Sequence, residues 1–549
     1  MAETSVSPVD LKDVEQLVNA TDAVVQEALA VGRKRTNGGK DIDAMQVHAE
    51  RLAYAATEVH AAKDVLAYAK SVGNDRAIAE MTAVFAAETA GRLGAQIDAH
   101  PDDFGLKDDL LNQTIGDPKV KAIARGSANE ARVRAIGRHV MEQRGANHCV
   151  IDNELAVMTR DSVRQFAEAE VAPIAERIHR HDELVPDAII SKMAELGFFG
   201  MAIPEEYGGQ GMGNLPMIIT TEELSRCSLA AAGSLITRPE ILTKALLKGG
   251  TEEQKQHWLP KIAAGETMVA ISVTEPDTGS DVAAVKCRVE RGEAGGQKGW
   301  VINGAKAWCT FAGRANVICL LGRTDPDMKK GARGLSQFIV PKDTFPGHSF
   351  EMRQATGGLL VGKADATPGY RGMHSYTLGF ENYFVPAEGL VGGEEGLGQG
   401  FYLQMSGFAA GRLQTGGRGT GLAQAALERT AEYVCDRKQF GEPIGNFQLT
   451  QYKLGRMAAN LMAARQLTYA AALEMDKDES ASLEAAMAKL FACDVAVWLT
   501  QEGQQLHGGW GYAEEYPISR YVVDATVLPI FEGVKPILEL KVIARTLLG

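Results

Sequence analysis

The chain has 549 residues, which is more than one hydrophobic core supports, so we expect several domains. Its 45% hydrophobic and 23% charged residues are typical of globular proteins. The net charge of -13 argues against nucleic acid as a main partner, because phosphate binding requires clustered lysine and arginine. One local basic pocket for an anionic ligand remains compatible with this balance.

Targeting and metal-binding patterns are missing from the sequence. The N-terminal stretch MAETSVSPVD has no basic segment followed by an apolar run, so we expect no secretory signal. No uninterrupted apolar stretch approaches the length that a bilayer requires, so we expect no membrane insertion. The seven cysteines and eleven histidines form neither a CxxC pair nor an HExxH motif, which argues against a disulfide framework and structural zinc. We therefore expect a cytoplasmic protein with no metal.

Helical periodicity dominates the first 150 residues. Apolar residues at helical spacing predict three long helices before residue 100. Ser7 before Pro8 predicts the start of the first helix, and Asp117 before Pro118 predicts a later start. The stretch contains no motif that we can assign to chemistry. We interpret residues 1–150 as a helical bundle or paired-helix extension with a stabilising or interaction role.

The remaining chain changes character twice. Residues 151–270 are helical, with apolar residues recurring on one face. Residues 271–389 contain short strands, and Asn303-Gly304 predicts a hairpin turn between two of them. Helical periodicity returns over residues 390–549. The predicted fold class is therefore α+β, in the order helical extension, helical domain, β domain, helical domain.

Two stretches of the β domain have a composition that suits a ligand. VTEPDTGSD, residues 273–281, predicts an irregular turn whose N–H groups and hydroxyls can hold a polar ring edge or a phosphate; an ordinary surface turn is the alternative. In WCT, a strand places Trp308 and Thr310 on one face. An indole beside a hydroxyl suits a flat heteroaromatic ring, whereas a core tryptophan near a satisfied threonine is the alternative.

Two further stretches lie in the C-terminal helical region. DRKQFGEPIGNFQ, residues 436–448, places Arg437 and Lys438 before an aromatic residue and a glycine turn, which suits a pyrophosphate or simply a charged helix end. QLHGGWGY, residues 505–512, allows close approach of a ligand to the backbone, or forms a plain turn between helices. Neither a GxGxxG after a strand nor a Walker loop occurs, so a Rossmann or P-loop protein has no support.

In the order in which they occur, these stretches resemble the acyl-CoA dehydrogenase family over residues 151–549. GGTEEQKQHWLPKIAAGE near residue 250 and FEG at residues 531–533 complete the resemblance. The family fold consists of an N-terminal helical domain, a middle β-barrel or sandwich domain and a C-terminal four-helix bundle. Residues 1–150 are an addition to the ordinary family. The resemblance implies oxidation of an acyl-CoA substrate by bound FAD, transfer of electrons to electron-transfer flavoprotein, and a homo-oligomer, either a dimer or a tetramer.

The resemblance also assigns residues to the FAD site. The turn at 274–280 would hold the flavin ring edge and part of CoA, and the 436–448 stretch would meet the FAD of a neighbouring subunit. The loop after residue 505 would lie near the adenosine half. The cofactor-binding residues implied are Thr274, Gly279, Ser280, Trp308, Thr310, Arg437, Gln439, Phe440, Gln448, Gln505, Gly508 and Gly509.

Glu532, in the stretch IFEGVKP, resembles the catalytic base of the family. The proton next to a thioester carbonyl is weakly acidic, and a carboxylate in a water-poor pocket is a stronger base than one in water. The family stabilises the enolate oxygen with the backbone N–H of the base residue and a ribityl hydroxyl. Some members place the base just before an arginine that resembles Arg412, but Gly411 has no carboxylate. Gly533 lets the backbone approach the thioester.

The chain departs from the family where the substrate and CoA would bind. Val534 replaces the usual threonine after EG, which removes one hydroxyl contact to FAD. An acyl group with a free carboxylate would need a cation, because an unpaired buried charge is costly. The candidate cations are Arg238, Arg412 and Arg371, and the alternative for Arg238 is a surface charge before a helix-breaking proline. The substrate-binding candidates are Ser280, Arg412, Gly533 and Arg238.

Three functions remain open from the sequence. The first is dehydrogenation of an acyl-CoA that carries a carboxylate. The second is dehydrogenation of an uncharged short or branched acyl-CoA, which an apolar acyl pocket would favour. The third is a flavin- or CoA-binding scaffold in which the helical extension performs the function; an intact Glu532 with Trp308 and Thr310 argues against it.

Overall fold

A computed structural model describes residues 7–478 and 481–549. Residues 1–6, part of the stretch in which the sequence shows no signal pattern, lie outside the described residues. The chain groups into two compact units. The first unit contains the described residues up to Val157 together with those of Thr415–Gly549, and the second unit is Met158–Gln414. Among the described helices, none has both the length and the apolar character needed to cross a membrane.

In the described part of the N-terminal extension, the regular structure is helical, as predicted. Its helices are α1 (Leu11–Arg35), α2 (Gln46–Val72), α3 (Arg76–Ala99), α4 (Pro101–Phe104), α5 (Asp108–Gln113), α6 (Pro118–Ser127) and α7 (Glu130–Glu142). The predicted start of α6 is confirmed, because the Asp117 carboxylate caps the helix. The predicted start of α1 at Ser7 is wrong. The Asp10 side chain caps α1 instead, by accepting the backbone N–H of Lys12 at 2.9 Å.

Further helices precede the sheet. They are α8 (Glu154–Phe166), α9 (Ala172–His181), α10 (Asp187–Glu195), α11 (Asn214–Cys227), α12 (Glu240–Gly249) and α13 (Glu252–Ala263). A capping box begins α13, with Thr251 and Gln254 each bonding the other's backbone N–H. This pair ends the preceding connection and fixes where the helix begins.

One eight-stranded sheet forms the centre of the second unit. Its strands are β1 (Val269–Ser272), β2 (Arg288–Ala294), β3 (Gln297–Thr310), β4 (Val317–Arg323), β5 (Leu335–Pro341), β6 (Ser349–Arg353), β7 (Leu359–Ala364) and β8 (Ser375–Pro386). The strand order is β1-β4-β2-β3-β8-β7-β6, and β5 pairs with β4. Strand β1 runs parallel to β4, whereas β3 runs antiparallel to both β2 and β8.

The predicted hairpin turn at Asn303-Gly304 is wrong. Strand β3 continues through both residues, and Gly295-Gly296 form the turn between β2 and β3. The pairing of β3 with β8 shifts register at this point, and the Asn303 side chain accepts the backbone N–H of Asn382 at 2.8 Å. The asparagine and glycine therefore build a bulge inside a long strand, a site where glycine is also common.

The C-terminal region returns to helices. Its elements are α14 (Gly400–Asp436), β9 (Lys438–Gln439), β10 (Glu442–Pro443), α15 (Gln448–Lys477), α16 (Ser482–His507), α17 (Gly509–Tyr512), α18 (Ile518–Ala525), α19 (Lys535–Ile537) and α20 (Arg545–Leu548). A stretch of π-helix, Leu538–Ala544, joins α19 to α20. The described segment between α18 and α19 contains Glu532.

The extension shares a hydrophobic core with the end of the chain. Leu29 of α1 and Leu52 of α2 belong to the same buried cluster as Leu490, Leu538 and Leu548. Each buried large aliphatic side chain contributes about 1.5–3 kcal/mol to the free energy of folding. The extension is thus part of the first unit rather than a separate bundle.

Two glycines bring α7 and α15 into close contact. A Cβ atom on Gly137 would lie 1.8 Å from the backbone oxygen of Gln451, and one on Gly455 would lie 2.0 Å from that of Val133. Any side chain at either position would push the two helix backbones apart. The spacing between the extension and α15 therefore depends on this pair.

We expect Gly137→Ala and Gly455→Ala to destabilise the protein by about 1–3 kcal/mol each, because both overpack a backbone contact. Gly91→Ala is the matched control, since Gly91 lies in α3 with nothing within 4 Å of its Cβ position. That control should be neutral or stabilising by up to about 1 kcal/mol. Thermal unfolding followed by circular dichroism measures the difference. Equal melting temperatures for all three variants would contradict the assigned contact.

Candidate active site

The sequence-predicted site residues fall into both units. The second unit holds Arg238, Thr274, Gly279, Ser280, Trp308, Thr310 and Arg412. The first unit holds Arg437, Gln439, Phe440, Gln448, Gln505, Gly508, Gly509, Glu532 and Gly533. Each group is described within its own unit.

A buried ion pair fixes the turn at residues 273–281. Lys306 is fully buried, and its Nζ donates to the Glu275 carboxylate at 3.0 Å and to the Val273 carbonyl at 2.8 Å. Glu275 also accepts the backbone N–H groups of Lys286 and Cys287. A buried ion pair is costly unless its polar atoms are bonded in this way. Gly279 and Ser280 lie exposed at the surface of this fixed turn.

The sequence analysis missed this pair. The only signal for Lys306 is that its position has the same parity along β3 as the buried Trp300 and Ile302. The bulge between these positions obscures that signal. Glu275 stands within the recognised turn motif, but its sequence neighbours do not indicate that it faces inward.

Trp308 and Thr310 lie on the side of β3 opposite the buried Cys309. The Trp308 indole is 58% exposed, so the alternative of a core tryptophan does not hold. The Thr310 hydroxyl shares a hydrogen bond of 2.9 Å with Ser375. The backbone N–H of Ala307 donates to the Thr274 carbonyl, which brings the turn and this strand together.

The backbone at Trp308 is unusual. Its φ is 57°, at a shift in the pairing of β3 with β8. Left-handed backbone at a bulky residue is unfavourable and persists where the surrounding structure imposes it. Because the strain coincides with an exposed indole, this strand end has the character of a ligand-binding surface.

Arg238 is buried rather than a surface charge, with 5% of its surface exposed. Its Nε donates to the Ser234 carbonyl and its Nη2 to the Thr237 hydroxyl, both at 3.1 Å. Burial raises the pKa of the Cys309 thiol to about 12, although the Ser272 side chain and the nearby charge of Arg238 act in the opposite direction.

The other two candidate arginines have different surroundings. The Arg371 guanidinium donates to the carbonyls of Thr367 and His179 at 3.1 Å, and it lies 3.4 Å from the Asp182 carboxylate. These partners occupy it within the second unit. Arg412 is half-buried in α14, immediately after Gly411.

Asp182 also belongs to the group of described residues that most resembles a metal site. Its carboxylate and the ring nitrogens of His348 and His374 lie within 4.8 Å of one another. However, the same carboxylate bonds His374 at 3.1 Å and faces the Arg371 cation. The negative charge of Asp182, which a metal ion would need, is therefore already neutralised by Arg371 and hydrogen-bonded to His374.

Phe440 stands at the tip of a two-stranded ribbon formed by β9 and β10. It is 95% exposed, and both Phe440 and Gly441 have positive φ, the pattern of a type I′ hairpin turn. The predicted glycine turn after Arg437 is confirmed. Aromatic residues are enriched at protein–protein interfaces, so this ribbon tip is a candidate contact surface. Arg437, Gln439 and Gln448 are exposed on the same segment.

The loop at residues 505–509 lies beside the start of that segment. The Tyr433 hydroxyl donates to the His507 carbonyl at 3.0 Å, and the two rings stack at 4.2 Å. Because the Arg437 backbone N–H donates to the Tyr433 carbonyl, Arg437 and this loop are joined. No atom lies within 4 Å of a Cβ position on Gly508 or Gly509, so their backbone is open to a ligand.

Glu532 has the geometry of an available base. Its Oε2 is buried with no hydrogen-bond partner among the described residues. Its backbone φ is 54°, followed by Gly533 at 96°. An unpaired buried carboxylate oxygen is costly, as is left-handed backbone at a glutamate. Both features fit a residue whose partner is a ligand.

The segment around Glu532 is fixed by buried cations and a closing hydrogen bond. Lys489, itself 1% exposed, donates to the Gly533 carbonyl, and the Arg418 guanidinium lies 4.9 Å from the Phe531 ring centre. The backbone N–H of Lys535 donates to the Pro529 carbonyl at 2.9 Å. We call residues 529–535 the 529–535 loop. The sequence analysis identified neither buried cation, because Lys489 and Arg418 lie outside the IFEGVKP stretch.

Comparisons with known proteins agree with this arrangement. Models of the acyl-CoA dehydrogenase N-terminal, middle and C-terminal domains match residues 153–266, 270–383 and 398–548. The (2S)-methylsuccinyl-CoA dehydrogenase of Cereibacter sphaeroides is 38% identical over 559 residues, which cover 98% of this chain and 97% of that protein.

Two solved structures extend the comparison. Butyryl-CoA dehydrogenase from Megasphaera elsdenii matches with a TM-score of 0.66 and 28% identity, over 74% of this chain and 100% of that one. Glutaryl-CoA dehydrogenase from Mycobacterium smegmatis in complex with FADH2 matches with a TM-score of 0.62 and 25% identity, over 71% and 94%. The predicted fold class is confirmed. This chain belongs to the acyl-CoA dehydrogenase family and is an oxidoreductase that acts on acyl-CoA.

Proposed function

We propose that this protein is an FAD-dependent dehydrogenase that converts (2S)-methylsuccinyl-CoA to mesaconyl-CoA, a step of the ethylmalonyl-CoA pathway. The similarity to (2S)-methylsuccinyl-CoA dehydrogenase supports this substrate, because it spans almost the whole chain and includes the extension. The butyryl-CoA and glutaryl-CoA dehydrogenase structures cover 71–74% of this chain.

The observation that carries the proposed chemistry is the state of Glu532. Its buried Oε2 and its backbone N–H have no hydrogen-bond partners among the described residues. The carboxylate oxygen can accept the proton from the substrate. The backbone N–H can donate a hydrogen bond to the thioester carbonyl as the enolate forms. One residue thus offers both parts of the deprotonation step.

Glu532 performs the proton transfer in this proposal. The bond between Cα and hydrogen breaks, the proton moves to the carboxylate, and the electron pair moves toward the thioester carbonyl. The Glu532 backbone N–H stabilises the charge that develops on that oxygen. The left-handed backbone at Glu532 and Gly533 turns the N–H and the side chain to positions that a regular helix would not allow.

Members of this family are flavoproteins, and the residues of this chain fit FAD. Trp308 and Thr310 offer an exposed ring and a hydroxyl, and the rigid turn at 274–280 offers exposed backbone beside them. Gly508 and Gly509 offer open backbone, and Gln505 an exposed side chain, for the adenosine half. Bound FAD supplies the acceptor for the hydride that leaves the β-carbon.

Anaerobic flavin bleaching tests the reaction and its substrate. We expect (2S)-methylsuccinyl-CoA to bleach the purified yellow protein rapidly, and butyryl-, isobutyryl- and glutaryl-CoA to bleach it slowly. Glu532→Gln should lower the bleaching rate by at least about 100-fold, the scale of general-base catalysis. The exposed Glu515→Gln is the matched control and should bleach normally.

Other outcomes of this experiment separate the alternatives. Fast bleaching by an uncharged acyl-CoA would favour a dehydrogenase of a short or branched acyl-CoA and reject methylsuccinyl-CoA. A fully active Glu532→Gln would reject the assigned base. A binding scaffold would bleach with none of the four substrates.

Arg238 is the proposed partner of the substrate carboxylate. It is a buried cation whose Nη1 has no hydrogen-bond partner among the described residues. A guanidinium has five N–H donors, so the two bonds to Ser234 and Thr237 leave donors for a carboxylate.

We expect Arg238→Ala to lower kcat/KM for (2S)-methylsuccinyl-CoA by at least about 100-fold, because it leaves a buried carboxylate without its cation. Reduction by butyryl-CoA should change far less, since butyryl-CoA carries no carboxylate on its acyl group. Arg238→Lys is the matched control, because it keeps the charge and should retain part of the selectivity. Equal losses on both substrates would contradict the assignment.

The proposed assembly is a homo-oligomer, at least a dimer, that passes electrons to electron-transfer flavoprotein. The exposed ribbon tip at Phe440 supports the first part, since an aromatic side chain with 95% exposure suits an interface with a second subunit. The family resemblance supports the second part. An oxidase would instead react rapidly with dissolved oxygen after bleaching.

We expect the protein to behave as a dimer or larger in sedimentation experiments. Phe440→Ala should lower both the dimer fraction and the FAD content, because the same segment would contact the cofactor of the neighbouring subunit. Tyr402→Ala is a control, since Tyr402 of α14 is also an exposed aromatic residue, at 47%, and lies outside the ribbon and outside the stretches predicted to contact FAD. A monomeric wild-type protein that retains FAD fully would contradict this model.

A further inference from the structure

The extension contacts the 529–535 loop at Lys535. Lys535 is the last residue of the loop, and its Nζ bonds the Asp494 carboxylate at 2.6 Å. The hydroxyl of Tyr54, in α2 of the extension, donates to the same carboxylate oxygen at 2.9 Å. The Lys535 Nζ also lies 4.9 Å from the centre of the Tyr54 ring. Tyr54 therefore holds Lys535 both through its ring and through Asp494.

Lys535 is a cation and Tyr54 a neutral phenol at neutral pH. Burial disfavours the charge on Lys535, but Asp494 and Glu539 outweigh it and raise the pKa of Lys535. Burial also raises the pKa of the Tyr54 phenol, so that its proton stays on the hydroxyl and remains available to Asp494.

Tyr54 packs against the hydrophobic cluster that contains Leu29 and Leu52, and together with Asp494 it also lines a cavity of about 750 Å³ within the first unit. The hydrogen bond to Asp494 and the contact with Lys535 add polar interactions to this packing. Removing the hydroxyl alone therefore leaves the ring packed and breaks only the hydrogen bond.

The residues that follow the loop are also fixed by the extension. Leu538 and Ile543 are buried in the same cluster as Leu29 and Leu52. The backbone carbonyl of Leu547 accepts a hydrogen bond from the Arg33 side chain at 2.8 Å. The chain just after Lys535 thus has little freedom to move relative to α1 and α2.

A catalytic carboxylate is sensitive to such control. A misplacement of about 1 Å can cost about 100-fold in rate. The left-handed backbone at Glu532 is locally unfavourable, so the loop needs contacts from outside to keep it. The hydrogen bond from Lys535 to Pro529 closes the loop, and it transmits the position of Lys535 to both loop ends.

We propose that Tyr54 of the extension is a positioning residue for Glu532, acting through Asp494 and Lys535. This inference rests on the proposed role of Glu532 as the base. It assigns a function in catalysis to the helical extension: α2 sets the geometry of the loop that removes the proton.

The test compares variants of the FAD-loaded enzyme. Tyr54→Phe removes only the hydroxyl, and Lys535→Met removes the charge, whereas Lys535→Arg keeps a cation over the ring. Tyr68→Phe is the matched control, because Tyr68 lies on the same helix and its hydroxyl bonds Val150 and Cys149 instead. The measurements are the rate constant and amplitude of anaerobic bleaching by (2S)-methylsuccinyl-CoA and by butyryl-CoA, and the melting temperature.

We expect Tyr54→Phe and Lys535→Met each to lower the bleaching rate constant by about tenfold, a loss of about 1.4 kcal/mol in transition-state stabilisation. The effect of α-deuteration on bleaching should increase, because proton removal becomes slower. The bleaching amplitude and FAD content should stay at the wild-type level. The double variant should lose less than the product of the single losses, because both changes break one set of contacts. Lys535→Arg should recover most of the rate.

Each contrary outcome is distinguishable. A wild-type rate constant for Tyr54→Phe, with Glu532→Gln inactive, would overturn the positioning role and leave the base assignment intact. Lower melting temperature and amplitude with an unchanged rate constant would show a structural role only, and would also overturn it. An active Glu532→Gln would reject the base itself. Equal rate losses in Tyr68→Phe would show that the effect is not specific to Tyr54.

Discussion

The left-handed backbone at Glu532 is the constraint on which the first unit depends. A φ of 54° at a glutamate is unfavourable by itself, and the buried Oε2 without a partner adds to the cost. Contacts from several elements keep this arrangement. Lys489 of α16 holds the Gly533 carbonyl, Arg418 of α14 lies against Phe531, and Lys535 bonds Asp494. The energy of the surrounding fold thus maintains a local geometry that the loop residues disfavour.

In the second unit, a buried ion pair fixes the local geometry of a candidate binding turn. Lys306 and Glu275 are buried, and their polar atoms are bonded to each other and to backbone groups on both sides. A buried pair satisfied in this way fixes the turn above it. Trp308, two residues after Lys306, also has left-handed backbone. The buried pair of Lys306 and Glu275 therefore adjoins the residues whose side chains are exposed for binding.

The extension is packed into the first unit. It shares a core with the end of the chain, and Gly137 and Gly455 bring α7 and α15 into backbone contact. Tyr54 of α2 also contacts Lys535, although the three family domain models do not cover the extension. In the proposal that Tyr54 positions Glu532, catalysis therefore depends on a region outside those models.

The sequence by itself determined most helices and strands, the family and the candidate base. The sequence signals were periodic apolar residues, capping pairs such as Asp117-Pro118 and ordered motifs. These signals are local, so they can be recognised without knowledge of the fold. The tertiary structure decided that Asn303-Gly304 builds a bulge, that Arg238 is buried, and that Lys306 supports the turn. It also decided that Tyr54 meets Lys535. These contacts join residues that are far apart in the chain. The packing of helices and strands decides which residues meet, so such pairs leave no periodic pattern in the sequence.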